Sequence, residues 1–246
     1  MRHRVRLSVA LPIAVVFIAG ACVALAPAAL LDRPVAAATG DALHLVEARG
    51  TVWRGNAIVT DASGTPRFPC AWRLSPLALL RGDVELTLDP QGRVSVSARD
   101  VALTDVHLDV PASILGAWLP RGVAAAIGGT MRIDVAALRF DGQSGDGALD
   151  ARWEQARIAL NGALADFGTA TLHATPRGAD ITGTVTNAGG NLRIAGDFVL
   201  TNDSAGVSGT IAPVGEPVPE IARMLAALGT PDASGAVRFA WRGKRP

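Results

Sequence analysis

Apolar and polar positions alternate with period two through most of the chain. Val84, Leu86 and Leu88 fall on one face of an extended segment. After Pro90, Gln91 and Gly92 the same holds for Val94, Val96 and Ala98, then for Val101 and Leu103, then for Val106, Leu108 and Val110. Successive side chains of a strand point to opposite faces, so the pattern predicts a sheet with one buried and one wet face. It recurs at Met131, Ile133 and Val135, at Leu149, Ala151 and Trp153, and at Ile158 and Leu160. Further strands are expected over 170–173, 181–185, 192–200, 207–211 and 236–241, about a dozen in all. An opening hairpin, or a strand with a bulge, is expected over 43–60, where Gly50 and Gly55 interrupt the run. Most connections are short and rich in Gly, Asp, Asn and Pro, such as Asp141-Gly142 and 187–190, which suits antiparallel neighbours. The fold class expected is mainly β, a long curved antiparallel β-meander with two short helices.

Those helices are expected where the spacing changes. From Pro111 to Leu119, Ile114, Leu115 and Trp118 share a side, with Pro111 opening the segment and Pro120 ending it. From Pro217 to Leu228, Ile221, Leu225 and Leu228 form a stripe that Gly229 terminates. A loose echo runs through the meander: Gly50-Thr51-Val52-Trp53-Arg54-Gly55, then Gly129-Thr130-Met131-Arg132-Ile133, then 235–243, each entering a strand from a glycine. A structural repeat and plain glycine punctuation both give such an echo.

The first thirty residues break the alternation. A basic tip, Arg2, His3, Arg4 and Arg6, precedes an apolar run from Val9 to Ala26 with no charge until Asp32. Eighteen helical residues span about 27 Å, close to a bilayer's hydrocarbon core of about 30 Å. A single transmembrane helix is expected over 7–31, with Val9, Val16, Phe17, Ile18, Val23 and Leu25 facing lipid of the inner membrane. Residues 1–6 are then a cytoplasmic tip, 32–42 a linker, 43–243 an exported periplasmic domain and 244–246 a tail, because positive charge stays inside. Cleavage is the rival reading, since Ala24-Leu25-Ala26 and Ala36-Ala37-Ala38 have the small-x-small pattern of a signal peptidase site. Pro27 and the length of the run oppose it. A lipidated Cys22 is opposed by Ala19-Gly20-Ala21, which lacks a large aliphatic residue.

Composition narrows the function classes. With 49% hydrophobic residues the chain can bury a core, and a net charge of +1 gives no footprint for nucleic acid. Lys244 is the only lysine, and the arginines are spread singly. Cys22 lies in the apolar run, so Cys70 has no intramolecular partner in the exported part. Beside Phe68 and Trp72 it reads as a small core residue.

The search for chemistry is negative. There is no P-loop, dinucleotide glycine pattern, G-x-S-x-G elbow, H-E-x-x-H or C-x-x-C. Asp105, His107 and Asp109 alternate onto one face and form the densest group of ligand-type residues, but Val106, Leu108 and Val110 between them are the buried set, which makes the trio a solvated face. His44 and Glu47, three apart on a strand, point to opposite faces. Trp53, Trp72, Trp118, Trp153 and Trp241 are scattered as core anchors are, not gathered into a stacking platform. No enzyme activity, cofactor or metal ion is expected.

Two linked motifs carry a resemblance. Residues 50–57, Gly50-Thr51-Val52-Trp53-Arg54-Gly55-Asn56-Ala57, followed by 72–82 with Trp72, Pro76, Leu80 and Gly82, resemble the paired opening motif of the N protein of the type II secretion system. The likeness continues through Gly129 with its following strand, through Trp153, and through the closing strand with Trp241. It implies a bitopic inner-membrane protein whose periplasmic domain serves the machine that moves folded proteins across the outer membrane, as an accessory or assembly part with other envelope components as partners. A looser likeness extends to AsmA-like envelope proteins, and implies lipid held in an apolar groove.

Overall fold

The computed structural model describes residues 23–61, 63–65, 67–88, 92–97, 100–118, 125–160, 163–201 and 203–244. Among the described residues fourteen strands form one sheet: β1 (His44–Gly50), β2 (Arg54–Thr60), β3 (Phe68–Leu74), β4 (Val84–Leu88), β5 (Gly92–Val96), β6 (Val101–Pro111), β7 (Ala125–Phe140), β8 (Gly145–Gly147), β9 (Leu149–Leu160), β10 (Ala163–Arg177), β11 (Asp180–Ala188), β12 (Leu192–Leu200), β13 (Ser204–Pro213) and β14 (Val237–Lys244). Neighbours in space are neighbours in sequence except for the short β8, which pairs β7 and leaves β7 to pair β9 as well. Short polar turns make every pairing antiparallel, so the sheet is the expected meander.

Three side chains explain why some strands are longer than the alternation suggests. Glu47, Asp105 and Gln155 adopt φ of 55°, 51° and 51°, inside β1, β6 and β9. Each takes up one residue and flips which parity faces the core. Val101 and Leu103 therefore join Val106 and Val110 in one strand, and Leu149 to Trp153 join Ile158 in another, where separate short strands were expected. Gln155 stands opposite the register shifts between Gly128 and Thr130 of β7 and around Gly168 of β10.

The helices depart from expectation in number and kind. The segment after β6 is a 3-10 helix, Ala112–Trp118, with Ile114 buried; the side chain of Trp118 lies outside the described residues. The second is the α-helix Pro219–Leu228, whose Ile221 and Leu225 are buried as the stripe predicts, whereas Leu228, the third residue expected in it, is 52% exposed at the helix end. Gly229 ends it through close approach and not through a left-handed turn, since its φ is 166° and a Cβ there would lie 2.9 Å from Val237. Two α-helices were not expected: α1 (Asp32–Ala38), in the stretch read as a linker, and α2 (Pro76–Leu79), capped by the Ser75 side chain with Pro76 in its first turn. The helix Pro219–Leu228 is α3.

The amino-terminal end changes most. Among the described residues no helix is long and apolar enough to cross a membrane. Val9, Val16, Phe17 and Ile18 lie outside them. Where the apolar helix was expected to run through residue 31, Ala28–Leu31 is instead a 3-10 turn, and Ala28 is buried against Ala57 and Trp72. The chain is already tied to the sheet at Pro27, which bridges Thr51.

The core is divided along the meander. Val59 of β2 packs with Val110 of β6 and with Ile114, so the first strands curl over one another. Trp72 fills the space between β2 and the Ala28 turn. In the second half Leu192, Ile211 and Val237 pack under Ile221 and Leu225 of α3. Each such fully buried aliphatic side chain contributes roughly 1.5–3 kcal/mol. Asn187 is buried in the same half and fully used: its Nδ2 donates to the carbonyls of Phe167 and Leu192 at 2.7 and 2.8 Å, and its Oδ1 accepts from the Ile194 amide at 2.7 Å.

Two exposed turns give a pH dependence. The Asp141 carboxylate accepts from the backbone N–H groups of Ser144 and Gln143, and Asp232 accepts from the Ser234 hydroxyl and the amides of Ser234 and Ala236. These bonds hold both carboxyls below the ordinary value. Their contribution is therefore complete above the unfolded value, about pH 4, and is lost as pH falls through the lower folded values. The melting temperature is expected to fall as the pH drops below about 4. The acid slope is expected to be shallower in an Asp141→Asn/Asp232→Asn variant, as calorimetry would read directly.

Candidate functional site

The sheet has two edges, and they differ. β1 is covered: Asp32 of α1 accepts the Leu45 amide at 2.8 Å, and Thr39, just after α1, accepts the Leu43 amide at 3.1 Å. β14 pairs β13 along its length and has no second neighbour among the described residues. An uncovered strand offers a row of backbone donors and acceptors to an incoming strand. Arg238 and Arg242 are exposed on the outer face of β14, with no ion-pair partner among the described residues. Trp241, expected as a core anchor, is 58% exposed. Its ring lies across Gly243, where a Cβ would come within 2.4 Å of it. A recess of about 340 Å³ beside the edge is lined by Asp197, Val199, Ser208, Trp241 and Arg242.

The other motif residues form backbone clamps. The Trp72 indole N–H donates to the Val52 carbonyl at 3.1 Å and its ring covers Gly55, where a Cβ would lie 2.8 Å away. Trp153 repeats this at mid-sheet, donating to the Gly128 carbonyl at 2.9 Å beside Gly129, whose φ is 100°. Trp53 donates to the Val23 carbonyl at 2.8 Å. Gly50 has φ 91° and brings a would-be Cβ within 2.5 Å of the Arg54 carbonyl. Pro76 opens α2, Gly82 turns the chain at φ 85°, and Leu80 between them is 84% exposed.

The Asp105, His107, Asp109 trio does not converge. His107 Nδ1 lies 2.7 Å from Asp134, the Arg132 Nε donates to Asp109 at 2.9 Å, and Asp105 sits at the β6 bulge. These are cross-strand pairs on the wet face, with Val106 and Val110 buried beneath. The alternation did not bring out the matching pair of His173 with Asp150 at 2.7 Å, which needs the β9–β10 register to be seen. Asp134 and Asp150 face each other across β7 and β9 in a shallow recess of about 540 Å³. No group of three His, Cys, Asp or Glu able to hold a metal occurs among the described residues. His44 meets Asp32 at 3.5 Å while Glu47 pairs Arg67. Cys70 is half-buried in the Val59 cluster, and burial raises its thiol pKa.

A further recess, of about 560 Å³, opens where the paired motifs meet. Arg49, Arg54 and Arg73 line it with Asn56 and Thr87. Arg54 stands directly opposite Arg73 across β2 and β3. None of the three has a carboxylate partner among the described residues.

Comparison with curated proteins and with solved structures finds no match. Comparison with protein families finds one, described as type II secretion system (T2SS), protein N, over residues 41–240. That span takes in every strand from β1 to the middle of β14, and with them both clamps and the free edge, so the chain belongs to the type II secretion system protein N family.

Proposed function

We propose that this protein is a non-enzymatic accessory or assembly component of the type II secretion system, held in the inner membrane by the apolar run from Val9 with its sheet in the periplasm. It supports export of folded proteins through contacts with other envelope components. The uncovered edge of β14 carries this reading. Family membership supports the system, and the basic, tryptophan-bearing edge supports a docking role in which an acidic extended segment of a partner adds a strand. A photo-crosslinking residue in place of Ala240 is expected to capture, in cells, a subunit of the secretion system identified by its peptides. Capture of none of its subunits, with the protein present at normal level, would overturn the docking role.

A second reading rests on a different observation. Ile181, Phe198, Leu200 and Val207 are half-buried and belong to none of the core clusters, which leaves an apolar stretch of the core face uncovered. An acyl chain fits such a stretch, as in the AsmA-like reading. Native mass spectrometry of the full chain released from detergent separates the two: bound lipid favours the groove, a bare chain favours docking alone.

A further inference from the structure

One end of the sheet collects features that elsewhere occur singly. β1 ends there, β2 begins, β3 ends and β4 begins, with the turn 51–53 and α2 between them. The amino-terminal segment arrives at the same end: the Val52 amide donates to the Ala26 carbonyl at 2.9 Å, and Trp53 holds the Val23 carbonyl. Whatever precedes residue 23 therefore joins the domain here, and what precedes it is the apolar run.

The surface at this end is apolar and cationic together. Leu77 and Leu80 of the α2 turn are 69% and 84% exposed, and Val23 and Leu25 are exposed as well. Isolated exposed leucines need no explanation, but several at the place where an apolar segment enters do. Beside them lies the recess of Arg49, Arg54 and Arg73. Like charges directly opposite on neighbouring strands repel. Arg54 and Arg73 are so placed with no carboxylate between them, although the Glu47 nearby is engaged by Arg67 and Glu85 by Arg93. An anion seated between the two guanidinium groups removes the repulsion, and their planar forks suit phosphate oxygens. Asp83 sits at the α2–β4 turn and is the acidic group closest in sequence to Leu80, outnumbered by the three arginines.

We propose that this end of the sheet rests on the bilayer, with Leu77 and Leu80 entering the acyl boundary and Arg49, Arg54 and Arg73 binding the phosphate of anionic phospholipid headgroups in their recess. A bilayer surface supplies both chemistries at the depth each needs, apolar below and phosphate above, which is how interfacial segments bind. The contact fixes the sheet relative to the membrane and so aims the distant β14 edge. It rests on the anchored reading of the apolar run.

The test uses the full chain in nanodiscs. An environment-sensitive dye is placed at position 80 (Leu80→Cys in a Cys22→Ser/Cys70→Ala background), with a control at Ser63→Cys on the exposed β2–β3 turn, at the opposite end of the sheet. In discs of three parts phosphatidylethanolamine to one part phosphatidylglycerol carrying doxyl-labelled lipid, the dye at 80 is expected to be quenched and blue-shifted, and the dye at 63 to be neither. Replacing phosphatidylglycerol by phosphatidylcholine, or making Arg49→Ala/Arg54→Ala/Arg73→Ala, is expected to lower the docked-to-free ratio, about fivefold per arginine removed. Quenching at 80 no greater than at 63, in chains that co-elute with discs, would overturn the contact while leaving the anchor standing. Failure of the chain to enter discs would overturn both. Unchanged quenching in the triple-arginine variant would overturn the phosphate site.

Discussion

Gly129→Ala is expected to cost at least about 4 kcal/mol, while the same change at Gly178 is expected to cost about 1–2 kcal/mol. Both glycines have positive φ, 100° and 63°, so both substitutions meet backbone strain. They differ in what surrounds the new Cβ. At Gly178, in the β10–β11 turn, nothing lies within 4 Å. At Gly129 the Cβ would lie 2.3 Å from the Glu154 carbonyl, 2.5 Å from that of Gln155 and 2.8 Å from the Trp153 indole nitrogen. Two of these are backbone atoms of the neighbouring strand, which cannot swing aside, so β7 and β9 must separate at the bulge. Trp153 then loses its bond to the Gly128 carbonyl. Domains of this kind have about 5–15 kcal/mol in all, so Gly129→Ala removes a large share. Urea unfolding of the two variants, followed by circular dichroism, checks the pair. Equal losses at both sites would contradict the clamp.

The second large effect is on export. Arg238→Glu/Arg242→Glu reverses two charges on the outer face of β14 and should leave stability within about 1 kcal/mol, since both side chains are exposed and the attraction between Arg238 and Asp232 is one between solvated charges. Against an acidic incoming strand the reversal turns attraction into repulsion, which costs several kcal/mol at an interface. Export of a folded enzyme is therefore expected to fall at least about tenfold, with the melting temperature little changed. Trp241→Ala tests the same edge through its apolar contact. Export unaffected by either change would remove β14 from the interface.

The meander was legible because period-two burial and short polar turns are local. Val84 to Val110 show this most plainly. The bulges were not, since a side chain at φ near 50° looks in sequence like the end of one strand and the start of another, as Asp105 and Gln155 did. Register was also out of reach: pairing His173 with Asp150, or Arg54 with Arg73, depends on which strands meet and at which residue. Asn187 read as a turn residue beside Gly189 and Gly190, and only the path of β10 and β12 shows its buried carbonyl partners. The motif tryptophans pointed to the right places without their tasks. Trp72 and Trp153 clamp backbone beside glycines, whereas Trp241 is left in solvent on the free edge. The Leu77–Leu80 knuckle lies within the second motif, and its exposure is a tertiary fact, because α2 spans four residues and buries only Ala78.

Complementation of export tests the central claim most directly. In a strain lacking this chain, the amount of a normally secreted folded enzyme reaching the medium is measured against a periplasmic leakage control, with and without the full chain restored. Accumulation of the enzyme in the periplasm, reversed by the full chain and not by its Arg238→Glu/Arg242→Glu form, is the predicted result. Unchanged export, with an envelope that has become sensitive to detergent, would contradict the secretion role and leave the lipid-groove reading in its place.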